Sequence, residues 1–316
     1  MALVYAALGL VILLLAGDAL VKGAVNLSLR LGIPALIVSL TIVAFGTSAP
    51  ELIISVDAVL NDVPGLALGN VVGSNIANIL LVLGVPALFF GLETSACDTR
   101  KTYSFMIAAS LLFIVVCFFG PITWLHGLIL LAALAIVLGD ALIEARAHAN
   151  GAGGEDEKEE EVEGADPNMS WLKIGVYMVL GIIGLPLGAD LLIDGAVEIA
   201  RVIGVTDTVI GLTLVALGTS LPELATTVMA AVRKQADVAL GNVIGSNMFN
   251  ILAIIGVASF FGDIPVDDRF LRADLWVMLG ASLILAPIVF LCLNMNRIWG
   301  LALCVLYGVY VAILVT

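Results

Sequence analysis

Long apolar stretches recur from one end of the chain to the other, separated by short polar breaks. Leu3–Leu15, Ile107–Phe119, Leu128–Leu138 and Leu279–Leu293 are nearly continuous runs without strict alternation. Alternating segments would suit a membrane β-barrel, whereas unbroken runs of about 20 apolar residues suit bilayer-spanning helices. The pattern predicts ten spans: Ala2–Leu29, Pro34–Leu60, Pro64–Phe90, Tyr103–Phe119, Ile122–Ala145, Trp171–Ile203, Thr206–Val232, Ala236–Phe261, Phe270–Leu293 and Ile298–Val315. The stretch Ala2–Ala24 has neither a charged start nor a clear cleavage site, so it reads as part of the first span rather than a signal peptide. One long polar segment, Arg146–Ser170, separates a five-span half at 1–145 from a second at 171–316.

Composition agrees with this picture. Hydrophobic residues make up 61% of the chain and charged residues 12%, about half the share usual in soluble domains. An ordinary cytosolic globule and a disordered chain are both excluded. The net charge of −13 misleads, because Glu155–Asp166 holds eight acids and one lysine. That run marks a solvated linker, and nucleic acid is not an expected partner. The cysteines Cys97, Cys117, Cys292 and Cys304 form no CxxC pair and are expected to be free thiols.

The basic residues orient the chain. With the N-terminus outside, ten Lys and Arg fall on the cytoplasmic side and three (Arg201, Arg269, Arg272) outside. Both termini are then expected outside and the acidic linker inside, in the cell (inner) membrane.

An internal repeat dominates the sequence. Asp18–Phe89 aligns with Asp190–Phe261 at an offset of 172 without a gap, with 32 identities in 72 positions. Each half has an odd number of spans, so the second copy enters the membrane in the opposite sense. The expected fold is an all-α polytopic membrane protein, ten transmembrane helices as two inverted five-helix repeats, a plan common among secondary transporters.

Two motifs recur within spans. Gly46-Thr47-Ser48-Ala49-Pro50-Glu51 matches Gly218-Thr219-Ser220-Leu221-Pro222-Glu223. Gly69-Asn70-Val71-Val72-Gly73-Ser74-Asn75-Ile76-Ala77-Asn78 matches Gly241-Asn242-Val243-Ile244-Gly245-Ser246-Asn247-Met248-Phe249-Asn250. In the first motif Gly can end a helix, Thr and Ser can cap a new one, and Pro suits its first turn. The span is therefore predicted to break near its centre, freeing carbonyls such as those of Ala44 and Ala216. Irregular backbone at membrane depth is tolerated only where it is buried or lines a polar cavity. A charged residue at a helix centre costs about 2.5–3.5 kcal/mol on insertion scales. Glu51 and Glu223 therefore call for a compensating cation, and oxygen-rich surroundings suit a hard one such as Ca²⁺. Ser74 and Asn78 share one helix face, as do Ser246 and Asn250. Gly69 and Gly73 allow close helix approach. Asn70, Asn75, Asn242 and Asn247 are assigned to packing or to support of the ligands. Asp18 and Asp190 are expected to be structural, and His126 and His148 to be surface residues.

These paired motifs resemble the α-repeats of the cation/calcium exchanger superfamily, in particular the prokaryotic sodium/calcium exchangers, over nearly the whole chain. The resemblance implies Na⁺/Ca²⁺ antiport by alternating access. It implies no enzymatic activity and no cofactor, with Ca²⁺ and Na⁺ bound at the midplane as transported ions. Their ligands would come from the broken second and seventh helices and from the third and eighth. Carried over by motif, Glu51 and Glu223 match the central glutamates. Thr47, Ser48, Thr219 and Ser220 match the ligands beside them, and Ala44 and Ala216 match carbonyl donors to flanking Na⁺. Ser74, Ser246, Asn78 and Asn250 match ligands from the third and eighth helices. Some relatives carry Asp at the position of Asn250, so potassium dependence is disfavoured here. The chain is expected to act as a monomer in the lipid bilayer. H⁺/Ca²⁺ antiport remains an alternative, although Gly73 and Gly245 stand where proton-driven relatives usually have glutamate. A passive cation channel or a Ca²⁺ sensor is a third.

Overall fold

The computed structural model describes residues 2–149, 166, 168–204 and 216–315. Most of the acidic linker and positions 206–215, the start of the expected seventh span, lie outside the described residues.

The described residues are helical, with two isolated β-bridges at turns. In chain order the helices are α1 (Ala2–Leu31), α2 (Ala35–Thr47), α3 (Ala49–Leu60), α4 (Pro64–Phe89), α5 (Arg100–Phe118), α6 (Trp124–Ala149), α7 (Trp171–Val202), α8 (Leu221–Val232), α9 (Ala236–Ala258), α10 (Phe270–Phe290) and α11 (Arg297–Val315). A short helical turn, Ala216–Gly218, precedes α8. Eight of these helices are individually long and apolar enough to cross a membrane, and the bent pair α2–α3 makes a ninth. Each lies within a few residues of its expected span. Proline in the first turn of α3, α4 and α8 fits the unpaired N–H positions there. Ser170 starts α7 by accepting from the Lys173 amide at 3.3 Å.

The helices α4 and α9 form the buried centre, while α1, α6, α7 and α11 present most of their surface outward. Large apolar side chains such as Leu3, Leu172, Ile136 and Ile313 are exposed on those outer helices. In water such a surface would be an aggregation patch, and it lies on helices long and apolar enough to cross a membrane.

Helices α1 and α7 pack antiparallel along most of their length. Leu13 meets Gly188, Leu20 meets Gly181, and Gly23 meets Met178. A Cβ at Gly188 would stand 2.8 Å from the Leu13 amide nitrogen, so only glycine permits this approach. One ion-pair cluster ties α1 to the end of α8. Asp18 lies 2.5 Å from Arg233 and 3.1 Å from Lys22. Its repeat mate Asp190 is exposed, so the two positions have diverged.

Turns at each end are stitched together. Leu92 bridges Met295 at one end, and Ile122 bridges Ile264 at the other. Lys101 pairs with Asp140 at 2.6 Å and Glu144 at 3.0 Å, joining α5 to α6. All four cysteines are free thiols. His126 accepts from the Thr123 amide at the start of α6, an end-of-helix role.

The motif did not predict four π-helical turns, at Ser39–Val43, Asn78–Val82, Phe249–Ile254 and Phe270–Asp274. Such single turns are rare and gather at functional sites. Asn78 opens one of them, and Asn250 sits at the second position of another.

Candidate cation-binding site

The first motif bends the second span by 43° between α2 and α3. The bend falls on Ser48, whose φ and ψ are −85° and 4°. In the second half Ser220 takes the same conformation, −86° and 3°. The expected break is therefore present at both motifs, but its chemistry differs from the expectation. Neither serine caps the following helix through its side chain. The Ser48 hydroxyl instead donates to Glu223 Oε1 at 3.4 Å, across the middle of the bundle. Nor is the Ala44 carbonyl freed. It accepts from the Ser48 amide at 3.0 Å and from Thr47 Oγ1 at 3.3 Å, because the chain bends without unwinding. Ala216 opens the short turn ahead of Ser220.

Glu51 and Glu223 each lie in the first turn of the helix after the bend, and each is 1% exposed. Neither carboxylate pairs with a Lys, Arg or His among the described residues. Two buried carboxylates without a counter-charge are costly, since each ion loses its hydration.

The second motif surrounds them. Thr47 lies 3.3 Å from Asn242 Oδ1 and 3.4 Å from Ser246 Oγ. Ser74 and Thr219 complete the expected hydroxyl set, the first buried and the second half-buried. Asn70 donates to Ser55 Oγ at 3.1 Å and to the Glu51 carbonyl at 3.4 Å. Asn242 does the same to Thr227 and Glu223, at the same distances. These two asparagines thus hold the helices that carry the glutamates. Asn75 donates to the Asn247 carbonyl at 3.2 Å, and Asn247 donates back to the Asn75 carbonyl at 3.3 Å. Asn78 donates to Asn247 Oδ1 at 3.0 Å.

Most buried polar atoms are hydrogen-bonded in folded proteins. Here a cluster is not. Glu51 Oε2, Glu223 Oε2, Ser220 Oγ, Asn75 Oδ1, Asn78 Oδ1 and both amide atoms of Asn250 have no partner among the described residues. Nearly all are oxygens, and all but Asn75 come from residues expected as ligands. Oxygen donors, two of them anionic, form the ligand chemistry of a hard cation.

Ser55, Thr227, Met106 and Met278 escaped the sequence reading. Asn75 and Asn247 contact Met278 and Met106 respectively, each at 3.8 Å. The offset of 172 joins Ser55 to Thr227 and Met106 to Met278, so repeat equivalence was the available signal. Gly69 and Gly73, expected at a close approach, have no described atom nearer than 3.9 Å to a Cβ built there. The close approach occurs at their mates Gly241 and Gly245, where α9 crosses α2 near Leu36, Ser39, Leu40 and Ala44.

Comparison with known proteins identifies the family. The family described as sodium/calcium exchanger protein matches residues 1–139 and 173–316. The sodium/calcium exchanger MaX1 of Methanosarcina acetivorans is 32% identical over 342 residues, covering 97% of this chain and 96% of that one. The inner membrane protein YrbG of Escherichia coli is 32% identical over 283 residues, covering 88% and 85%. The solved sodium-calcium exchanger NCX_Mj, soaked with zero Na⁺ and Ca²⁺, superposes with a TM-score of 0.81 at 31% identity, covering 99% of this chain and 98% of that one. The chain therefore belongs to the sodium/calcium exchanger protein family: it is a membrane exchanger of Na⁺ and Ca²⁺, with those ions as substrates and no enzymatic cofactor.

Proposed function

We propose that Na⁺ entering down its gradient drives Ca²⁺ out through one central site built on Glu51 and Glu223. The observation that carries this reading is the cluster of buried, unpartnered oxygens around two carboxylates that have no counter-charge among the described residues. Ser220, Asn78 and Asn250 supply the neutral donors, and Thr47, Ser48, Thr219, Ser74 and Ser246 complete the shell. Ala44 and Ala216 flank it. The Ala44 carbonyl serves a flanking Na⁺ only when the Thr47 hydroxyl turns away. With Asn250 in place of an acid, the site carries two negative charges. One Ca²⁺ or two Na⁺ neutralise it, and a third Na⁺ makes exchange electrogenic.

The architecture proposed is ten spans in two inverted repeats, 1–145 and 171–316, joined by a cytoplasmic linker at 146–170. The antiparallel packing of α1 against its repeat mate α7 supports the inversion. So do the matched bonds of Asn70 and Asn242. The orientation rests on the basic residues. Arg30, Arg100, Lys101, Arg146, Lys173, Arg233 and Arg297 gather at the end that carries the linker, whereas Arg201, Arg269 and Arg272 lie at the other. The linker end is thus cytoplasmic and the termini face outward, in the cell membrane. One chain holds both glutamates, so the unit of transport is a monomer.

The test is Ca²⁺ uptake into proteoliposomes under Na⁺, K⁺ or H⁺ gradients applied separately. A Na⁺ gradient is expected to drive uptake, and Glu51→Gln or Glu223→Gln to abolish it. Undiminished flux in both variants overturns the site. Uptake driven by a pH gradient without Na⁺ selects proton antiport instead, and flux without any counter-ion selects a channel.

A further inference from the structure

The central hydrogen bonds come in repeat-related pairs, and two pairs are half made. Asn70 and Asn242 have matching partners, as do the amide groups of Asn75 and Asn247. Asn78 donates to Asn247 Oδ1 at 3.0 Å. Its mate, shifted by 172 residues, would run from Asn250 Nδ2 to Asn75 Oδ1. That bond is absent, and both of its atoms are buried without a partner among the described residues. Likewise Ser48 donates to Glu223 Oε1, whereas the mate bond from Ser220 to Glu51 is absent and Ser220 Oγ has no partner among the described residues, while Oε2 is unpartnered on both glutamates. The break in symmetry has a consistent direction. Side chains of the first half have engaged the second half, and the reverse pair stands open.

We propose that Asn247 and Asn75 are positioning residues that aim the ligands Asn78 and Asn250 at the cation one at a time, each in one of the two access states. Asn247 Oδ1 holds the Asn78 amide nitrogen, so Asn78 Oδ1 points away from that bond and is presented unpaired. The backbone bonds between Asn75 and Asn247 fix both side chains to within one rotation of these roles. Inverted repeats exchange conformations when a transporter changes the face it opens. Applied here, the exchange makes Asn250–Asn75 and Ser220–Glu51 and breaks Asn78–Asn247 and Ser48–Glu223. The ligand field would then differ between the two faces although the same carboxylates serve both. This inference rests on the proposed assignment of Asn78 and Asn250 as ligands and of the halves as inverted repeats.

The experiment measures half-saturating Ca²⁺ for Na⁺-driven flux in right-side-out and inside-out membrane vesicles. Asn247→Ala is expected to raise it about tenfold at one face, the loss expected for an unmade bond to a buried polar group, and to change it less than about twofold at the other. Asn75→Ala is expected to show the reverse sidedness, and the double variant to raise both. Equal shifts at both faces, or none, overturn the proposal. Asn247→Thr and Asn75→Thr fill the space and keep a hydroxyl for the facing carbonyl, and the same sidedness is expected of them. Failure of both pairs to fold identifies a packing role and also overturns it. Asn78→Ala separates the two readings. Normal Ca²⁺ affinity in that variant overturns the ligand assignment itself. Weakened affinity there, beside an unshifted Asn247→Ala, overturns the positioning role alone.

Discussion

Ser48 and Glu223, 175 residues apart, meet across the centre of the bundle, with the serine hydroxyl 3.4 Å from the carboxylate. The serine sits at the bend between α2 and α3, and the glutamate lies in the first turn of α8 beside the opposite bend. The first half therefore reaches into the site around a charge that belongs to the second. Ser48→Ala should leave Glu223 short of a donor without removing a carboxylate. Its half-saturating Ca²⁺ concentration should rise about fivefold to tenfold, with maximal flux less affected. Flux against Ca²⁺ concentration in proteoliposomes checks this.

Cations should stabilise the fold. At a Ca²⁺ concentration 100 times Kd, binding to the folded state alone adds about 2.7 kcal/mol. The unfolding midpoint in detergent should rise accordingly and fall back when a chelator removes the ion. Glu51→Gln and Glu223→Gln should behave differently. Each removes a buried charge that has no counter-ion among the described residues, so each should be more stable than the natural chain without cations and insensitive to Ca²⁺.

The ion pair of Asp18 with Arg233 fastens α1 to the end of α8. Reversing either charge, Asp18→Arg or Arg233→Asp, should place like charges together and lower both stability and transport. Combining the two should restore much of the loss, with a coupling of about 0.5–3 kcal/mol. A double-mutant cycle on unfolding midpoints, run beside flux measurements, reads this coupling.

Gly245 supports the site through packing. A Cβ there would clash with the Leu40 carbonyl and stand 2.6 Å from Ala44 Cβ. Gly245→Ala should cost about 1–3 kcal/mol and reduce transport, because it pushes α9 away from the helix that carries Thr47. Gly308→Ala is the control. No described atom lies within 4 Å of the added carbon, and alanine is the better helix former. Its stability should be equal or slightly higher.

Much of this was legible in the sequence. The apolar runs fixed the medium and the helices, because a bilayer demands about 20 apolar residues whatever their neighbours do. The repeat at an offset of 172 located both bends and both glutamates, since glycine, serine and proline act on the backbone locally. The buried carboxylates were recognisable because their cost in a membrane does not depend on detailed packing.

Only the tertiary structure decided how the polar atoms are spent. Ser48 sits where a helix cap would be but gives its hydroxyl to Glu223, and the Ala44 carbonyl stays engaged through the bend. The same glycine motif is in close contact in the second half and not among the described atoms of the first. Asn78 is held by Asn247, whereas Asn250 has no partner among the described residues, although the repeat writes both with the same residues. The physical reason is range. Periodicity and capping act over a few residues, whereas the side-chain bonds that cross the site between the halves join residues 169 to 199 positions apart. A repeated sequence specifies both members of each pair equally, and the conformation of the assembled bundle selects which member is made.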